Sequence, residues 1–199
     1  MPKVYTGDLT KMFDISGKKA MIFGGAGGFG EAIAAGYAAN GCSVCISSRS
    51  EEKLQAAKAK IEAAAAPGVK VMYIAGDAGD EEFVKKAVEV VTGPDGLGDI
   101  LVNAQGINKK MWSWEIDTDF FEKMLHTNIT SLMLTCKYFG NWMKTNNVEG
   151  AEKVDEAAFE HGKCNPNQGY GKIINFGSVR GIRAVANGGN GNVPYNTTK

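Results

Sequence analysis

Residues 20–30 read AMIFGGAGGFG, an apolar run followed by five glycines within seven residues. The run Ala20–Phe23 has no polar alternation, which predicts a strand that is covered on both faces. The stretch Glu31–Ala39 is rich in alanine and favours a helix whose small side chains pack closely on a sheet. Residues 24–30, called the glycine loop below, are therefore predicted to turn the chain from a buried strand directly into a helix.

The alternation of strand and helix continues beyond the glycine loop. Further strands are predicted at Ser43–Ser47, Val69–Ala75, Ile100–Val102 and Lys172–Phe176, and helices at Glu51–Ala66, Asp80–Val91 and Asp119–Lys144. Such regular alternation predicts an α/β fold of the Rossmann type, a doubly wound parallel sheet with helices on both faces. We expect one domain over residues 1–199, with an insertion at about 145–171 that is longer than most connections in such folds.

Composition narrows the class of protein. The chain has 199 residues, 44% of them hydrophobic, which is enough to bury a core. Its 22 basic and 22 acidic residues cancel, so no basic stripe is available for a nucleic acid or an anionic membrane. No apolar stretch approaches a membrane span, and the first residues lack a secretory signal. We therefore expect a cytoplasmic protein that acts on small molecules, without nucleic-acid or membrane partners.

Metal and redox sites are not predicted. Cys42 and Cys45 form a CxxC pattern, but they fall at a predicted strand, where residues three apart point to opposite faces. Their interpretation as buried small apolar residues is preferred to a metal or redox pair. His126 and His161 have no metal-like neighbours in the sequence.

The position of the glycine loop indicates a phosphate site. Backbone amides and the helix dipole meet where a strand passes into a helix, and together they attract a pyrophosphate. The alternative is a tight turn that binds nothing, since glycines often serve only the backbone. No GK[ST] ending follows, which disfavours a P-loop nucleotide hydrolase.

Cofactor preference is predicted from the end of the second strand. About 20 residues after such a loop, an acidic residue would bind the adenosine ribose hydroxyls of NAD. This chain has Ser48 and Arg49 there. A guanidinium matches a 2′-phosphate in charge and geometry, so NADP is predicted, with NAD as the second choice. The alternative is that Arg49 is a solvated residue after a strand.

With these features in place, the chain resembles the classical short-chain dehydrogenase/reductase family from residue 13 onwards. The family's TGxxxGxG is similar to residues 23–30, with Phe23 in place of the threonine, and its adenine-binding aspartate matches Asp77. Its NNAG is similar to Asn103–Gly106, which keeps the first asparagine and the glycine but not the middle pair. The resemblance implies a cofactor site made of Gly24, Gly28, Phe29, Gly30, Ser48, Arg49, Asp77, Asn103, Gly106, Tyr195 and Lys199.

The resemblance also implies a catalytic set of Asn128, Ser178, Tyr195 and Lys199. Asn128 lies in HTNI, Ser178 in NFGSV, and residues 195–199 read YNTTK, the YxxxK of the family. Residues four apart on a helix share a face, and an ammonium beside a phenol favours loss of the phenolic proton. Tyr195 is thus predicted to be the acid/base and Ser178 to bind the substrate oxygen. By resemblance, Lys199 holds the nicotinamide ribose and Asn128 anchors a water.

The implied activity is NAD(P)-dependent interconversion of a secondary alcohol and a ketone. Residues 13–18 and 178–181 resemble the sugar-acid and polyol branch of the family, such as gluconate 5-dehydrogenase. A homodimer or homotetramer is expected by analogy. The alternative function is a non-catalytic nucleotide-binding sensor or assembly subunit on the same fold, favoured by the altered NNAG and the lost threonine.

Family members continue past YxxxK with further strands, whereas these 199 residues stop at Lys199. We therefore expect them to be part of a longer protein that contains the C-terminal strands. The alternative is a natural truncation that binds nucleotide poorly.

Overall fold

A five-stranded parallel sheet forms the centre of the protein. The computed structural model describes residues 13–91, 98–109, 113–146, 171–182 and 193–199. The strands are β1 (Lys19–Phe23), β2 (Ser43–Ser48), β3 (Val71–Ala75), β4 (Ile100–Asn103) and β5 (Lys172–Asn175). Their order is β3-β2-β1-β4-β5, and every neighbouring pair is parallel. The parallel Rossmann-type sheet predicted from the sequence is confirmed.

Six α-helices accompany these strands in the described residues. They are α1 (Gly28–Ala39), α2 (Glu51–Ala64), α3 (Glu81–Val91), α4 (Thr118–Leu125), α5 (Ser131–Asn146) and α6 (Val193–Thr197). The single helix predicted over Asp119–Lys144 is wrong in one respect: a π-helical turn at His126–Thr130 separates α4 from α5. Such turns are frequent at functional sites, and this one contains Asn128.

Helices cover both faces of the sheet, as predicted. Alternate β1 residues point to opposite sides: Ala20 and Ile22 pack with α1 and α2, whereas Met21 and Phe23 pack with α3 and α5. Because both faces of the strand are covered, all four side chains are buried, which explains the apolar run without alternation.

Cys42 and Cys45 belong to different faces of the sheet. Cys42 packs in the core beneath α1 and α2, and Cys45 in the core beneath α3 and α5. Burial raises the pKa of the Cys45 thiol to about 12. The preferred interpretation of the CxxC letters as two separate buried residues is confirmed.

The element boundaries follow local chemistry. The helix predicted from Asp80 begins at Glu81, because Asp80 Oδ1 accepts a hydrogen bond of 2.9 Å from the Glu82 amide and so caps the helix. The helix predicted from Glu31 begins earlier, at Gly28, which has a φ of +55° at the turn from the loop into the helix. The first helical turn therefore lies against the end of β1.

Two predictions fall largely or partly outside the described residues. The insertion expected at about 145–171 includes residues 147–170, which are not described, and His161 lies within them. The expectation of one domain over residues 1–199 therefore stays a prediction. Across the part of the chain that is described, no helix combines the length and apolarity needed to cross a membrane.

Candidate active site

A cleft of about 420 Å³ opens where the carboxyl ends of the strands meet the start of α1. Such an edge is where open α/β sheets bind their ligands. Seven residues of the predicted cofactor site line it: Gly24, Gly28, Phe29, Ser48, Arg49, Asp77 and Gly106. Residues from the ends of four strands are thus brought together around one cavity.

The glycine loop is shaped by close backbone contacts. Gly24 has a φ of +75°, and the amides of Gly24 and Gly25 donate to the Ser47 carbonyl at 2.9 and 3.1 Å. A Cβ on Gly24 would lie 2.7 Å from the backbone of Ala104, and one on Gly30 would lie 2.3 Å from the Gly24 carbonyl oxygen. Only glycine fits these two positions, so the loop is held tightly between β2, β4 and α1.

The start of α1 faces the cleft without a capping side chain. Its N-cap residue is Gly27, which makes no side-chain hydrogen bond to the first turn. The first amides of a helix have no partner within the helix and carry the positive end of its dipole. This arrangement can bind a phosphate group.

Four predicted cofactor residues, Gly30, Asn103, Tyr195 and Lys199, are not among those that line the cleft. Gly30 is buried against Gly24, where it permits close packing of α1 on the loop. Asn103 is 2% exposed, and its Nδ2 donates to Asn175 Oδ1 at 2.9 Å, which joins the ends of β4 and β5. The structure thus gives Gly30 and Asn103 packing positions beside the cleft.

Ser47 contributes a buried polar atom that fits a nucleotide. The residue is 1% exposed and lines the cleft, and its Oγ has no hydrogen-bond partner among the described residues. Buried hydroxyls in folded proteins are normally paired. Together with the glycine cradle and the open start of α1, this unpaired hydroxyl makes the cleft suitable for a dinucleotide.

Asp77 lies at the β3 side of the cleft. Its Oδ1 accepts a hydrogen bond of 2.8 Å from the Gly79 amide, and its Oδ2 lies 3.9 Å from His126 Nε2. A Cβ on Gly79 would lie 2.2 Å from the same imidazole nitrogen. The carboxylate is therefore fixed by a local turn, with the imidazole of the π-helical turn directly beside it.

At the opposite end of the cleft, Lys199 comes close to Gly106. A Cβ on Gly106 would lie 3.5 Å from Lys199 Nζ and 3.3 Å from Asn128 Oδ1. Lys199 Nζ also donates to the Phe176 carbonyl at 2.9 Å and lies 5.9 Å from the centre of the Tyr195 ring. Burial lowers the pKa of Lys199. The ammonium thus lies at the edge of the cleft, beside the phenol ring.

Asn128 is 3% exposed and links three parts of the protein. Its Oδ1 accepts from the Ile107 amide at 2.8 Å, and its Nδ2 donates to the Ile107 carbonyl at 3.0 Å and to Thr198 Oγ1 at 2.9 Å. The π-helical turn is thereby fixed both to the loop after β4 and to the residue before Lys199. The predicted role of Asn128 in anchoring a water stays a prediction.

Ser178 lies in the loop after β5, which contacts Lys199. Its Oγ accepts from the Arg180 amide at 3.2 Å, so its hydroxyl can still donate to a substrate oxygen. A Cβ on Gly181 would lie 2.3 Å from the Lys199 backbone. The helix through Tyr195 ends at Thr197, so Lys199 lies two residues beyond it, and the expectation that Tyr195 and Lys199 share one helix face is wrong.

Sequence reasoning missed several residues of this region. Ser47, Gln105, Thr127 and Ser131 all line the cleft with polar side chains. Thr127 and Ser131 are four apart in the helical run, a spacing that could have assigned them to one face. Phe176 was also missed: besides its carbonyl bond to Lys199, its ring stacks on Phe29 with the centroids 5.7 Å apart.

No metal centre is found in the described ranges: no three His, Cys, Asp or Glu side chains there are grouped so that they could hold an ion.

Comparison with known proteins identifies relatives of this chain. Carbonyl reductase family member 4 of Danio rerio is 30% identical over 167 residues, which cover 84% of this chain and 59% of that protein. Gluconate 5-dehydrogenase of Gluconobacter oxydans is 27% identical over 188 residues, covering 94% and 62%. The chain thus spans less than two thirds of the length of these relatives.

Structural comparison agrees with the sequence. A short-chain type dehydrogenase/reductase from Mycobacterium marinum superimposes with a TM-score of 0.76 at 26% identity, covering 97% of this chain and 68% of that one. The family described as short chain dehydrogenase matches residues 18–199, nearly the whole sequence. The chain therefore belongs to the short-chain dehydrogenase family.

Proposed function

We propose that the protein is an NADP-preferring oxidoreductase that interconverts a secondary alcohol and a ketone by hydride transfer. One observation carries the proposal: Gly106, a residue of the nucleotide cleft, abuts both Lys199 Nζ and Asn128 Oδ1. Two of the four predicted catalytic residues, Lys199 and Asn128, therefore lie at one end of this cavity, which supports the proposal. A nucleotide-binding module alone does not need an acid/base pair at that point.

The cofactor would be held along the whole cleft. The amides at the start of α1 would bind the pyrophosphate, and Asp77 the adenine. Arg49 and Ser48 would bind the 2′-phosphate, since a guanidinium offers paired charged hydrogen bonds to phosphate oxygens. When bound, the nicotinamide ring would supply or accept the hydride. Lys199 would hold the hydroxyls of the nicotinamide ribose.

The chemistry at the substrate would be carried out by Tyr195 and Ser178. In the reducing direction, the Tyr195 hydroxyl gives its proton to the carbonyl oxygen as the hydride reaches the carbon. The nearby Lys199 ammonium favours the tyrosinate that this leaves. The Ser178 hydroxyl donates a hydrogen bond to the same oxygen, where negative charge develops.

The substrate class is proposed from the relatives. The zebrafish relative is named a carbonyl reductase and the Gluconobacter relative a gluconate dehydrogenase, and both names describe interconversion of a carbonyl and an alcohol. Together with the polyol-like runs at residues 13–18 and 178–181, this favours a sugar acid or polyol as substrate.

We also propose that the protein assembles as a homodimer or homotetramer through its long helical run. Ile129 and Met133, four residues apart and so on one face, are 41% and 51% exposed. Light scattering coupled to gel filtration would give the mass of the assembly. A monomer at micromolar concentration would contradict this part of the proposal.

The central test is Tyr195→Phe. NADPH binding is followed by nicotinamide fluorescence, and turnover by NADPH oxidation with a panel of keto-acids and ketoses. We expect turnover to fall by about 10³-fold or more with a far smaller change in NADPH affinity, because the phenol is the proton donor but only one of many groups that would hold the nucleotide.

The matched control is Tyr73→Phe, which removes a hydroxyl that bonds to Gln55 and Glu51 on the protein surface. This variant should keep both turnover and binding. Equal NADPH affinity without turnover in the unchanged chain and in both variants would instead favour the non-catalytic alternative.

A further inference from the structure

This chain departs from the NNAG pattern at residues 104 and 105, and the larger of the two replacing side chains is Gln105. It follows β4 within Asn103–Gly106, and its side chain lines the cleft together with Thr127 and Ser131. The family pattern has alanine at this position, which offers no hydrogen bond. A carboxamide has therefore been added to the wall of the nucleotide cleft.

A chain of hydrogen bonds fixes the orientation of this carboxamide. Ser131 is 1% exposed, and its Oγ donates to the Thr127 carbonyl at 2.6 Å. A hydroxyl has one proton, so in the second bond, at 3.1 Å, Ser131 Oγ can only accept from Gln105 Nε2. The amide nitrogen of Gln105 thus faces Ser131, and Oε1 is turned away from it.

The carbonyl oxygen at the other end of this amide is buried and unpaired. Gln105 Oε1 has no hydrogen-bond partner among the described residues. A buried acceptor without a donor is costly, and native structures rarely keep one unless a ligand or water serves it. Phosphate oxygens only accept at neutral pH, so the donor that fits Oε1 belongs to a sugar or a base.

The neighbours of Gln105 place it between the glycine loop and Lys199. A Cβ on Gly24 of the glycine loop would lie 2.7 Å from the backbone nitrogen of Gln105, and Gly106 on the other side abuts Lys199 Nζ. Position 105 thus lies between the glycine loop, which would hold the pyrophosphate, and Lys199, which would hold the nicotinamide ribose.

We propose that Gln105 is a specificity-determining residue of the cofactor site, whose Oε1 accepts a hydrogen bond from a hydroxyl or amino group of the bound dinucleotide. Ser131 is a positioning residue that holds the amide in this orientation. The proposal rests on the proposed function, because it takes the ligand of the cleft to be a dinucleotide.

The test measures the affinity of Gln105→Met for three ligands of increasing length. Methionine keeps the size of the side chain but has no amide acceptor. The ligands are 2′,5′-ADP, 2′-phospho-ADP-ribose and NADPH, measured by calorimetry. If the donor lies on the adenosine, the substitution weakens the binding of all three ligands by about tenfold. If it lies on the second ribose, only the last two ligands bind more weakly, and if it lies on the nicotinamide amide, only NADPH does.

Ser131→Ala tests the positioning role. It should weaken the same ligands as Gln105→Met, but by about threefold, since the amide loses its anchor and not its oxygen. The double variant should be no weaker than Gln105→Met, because the anchor has no effect once the amide is absent. If Ser131 acted only through packing, the double variant would bind the ligands more weakly than Gln105→Met does.

Two controls keep the outcomes distinct. Gln55→Met makes the same substitution at an exposed glutamine that bonds to Tyr73, outside the cleft lining, and should leave all three affinities unchanged. Gln105→Ala restores the family residue and should repeat the pattern of Gln105→Met. If both position-105 variants bind every ligand like the unchanged chain, the inference is overturned. If the unchanged chain binds none of the three, the proposed function falls, and the inference with it.

Discussion

The proposed nucleotide-binding region and the proposed catalytic region of this protein, given these two names below, are held in place differently. In the first, residues 19–48, β1 lies between two neighbouring strands and two cores, and Ala20–Phe23 are at most 1% exposed. In the second, residues 172–182 and 193–199, every residue of β5 is exposed and α6 has five residues. The first region is shaped by its own packing, whereas Thr198 and Lys199 of the second are held by individual hydrogen bonds, from Asn128 Nδ2 to Thr198 Oγ1 and from Lys199 Nζ to the Phe176 carbonyl.

Breaking the packed region should have the largest effect on stability. Gly30→Ala would place a Cβ 2.3 Å from the Gly24 carbonyl oxygen, which is backbone and cannot rotate away. We expect a loss of about 3 kcal/mol in the free energy of unfolding, measured with urea. NADPH binding should be lost as well, because the shift reaches the phosphate cradle.

A second glycine of the same helix provides the control. Gly36 is exposed in α1, and a Cβ there would meet nothing within 4 Å. Gly36→Ala should therefore raise the free energy of unfolding by about 0.5 to 1 kcal/mol through helix propensity. A similar loss in both variants would show that the helix as a whole, and not the close approach at Gly30, is sensitive.

Cutting the link from the loop after β4 to the catalytic region should have the next largest effect. Asn128→Ala removes three hydrogen bonds, to both backbone groups of Ile107 and to Thr198 Oγ1. At about 1 kcal/mol for each net bond, we expect a loss of about 2 to 3 kcal/mol in urea unfolding. The hydrogen-exchange protection of the Ile107 amide should fall with it.

Asn40→Ala is the comparison for this link. Asn40 Nδ2 makes one exposed bond, of 2.8 Å, to the Gly36 carbonyl at the end of α1. Its removal should cost less than about 1 kcal/mol. If Asn128→Ala were as mild as Asn40→Ala, the catalytic region would not depend on this side chain.

The two regions also differ in how well the sequence predicts them. The buried run at β1, the glycine loop and the strand–helix alternation follow from short-range patterns, and the structure agrees on each. The break between α4 and α5 does not follow from the sequence pattern: it contains Asn128, whose hydrogen-bond partners Ile107 and Thr198 are distant in sequence. A helical pattern read locally does not contain such a contact.

The polar wall of the cleft shows the same limit. Thr127 and Ser131 read as ordinary helix residues, and Gln105 as a departure from a motif. Their hydrogen bonds depend on how the π-helical turn approaches the loop after β4. The sequence does predict cleft positions such as Gly24 and Arg49, because each occupies a known place in a motif. A motif does not record which side chains pair with each other at positions where the chain departs from it.

Cofactor choice sharpens the comparison within the nucleotide-binding region. Arg49→Ala removes the cation that lines the cleft after β2. We expect about tenfold weaker binding of NADPH and less than twofold change for NADH, because NADH has no 2′-phosphate to pair with a guanidinium. Fluorescence titration with each nucleotide measures both values.

Lys60→Ala controls for the loss of one positive charge, since Lys60 is an exposed residue that bonds to Glu31 at 3.0 Å. Its NADPH affinity should not change. An Arg49→Ala variant that lost NADPH and NADH equally would indicate a structural role for the guanidinium and would remove the predicted preference for NADP.

The smallest expected effect concerns the protonation of Lys199 in the catalytic region. Burial lowers its folded-state pKa below the ordinary lysine value that applies in the unfolded chain. Between these two pKa values the unfolded chain binds more protons, so this lysine makes the free energy of unfolding rise with pH. Urea unfolding should therefore show that the free energy of unfolding of the unchanged chain, relative to that of Lys199→Met, is larger at about pH 10 than at about pH 7.5.

Lys85 offers a control of opposite sign. Its hydrogen bond to Glu82 raises its pKa, so its contribution is present below the ordinary lysine pKa and is lost as the pH rises through the raised value. The unchanged chain should thus lose stability relative to Lys85→Met over the alkaline range. The pKa of Lys199 is lowered by burial against the cleft, whereas the pKa of Lys85 is raised by its hydrogen bond to a carboxylate on an exposed helix. If both variants changed in the same direction, the Lys199 ammonium would be stabilised by charge and not desolvated, contrary to its proposed place at the edge of the cofactor cleft.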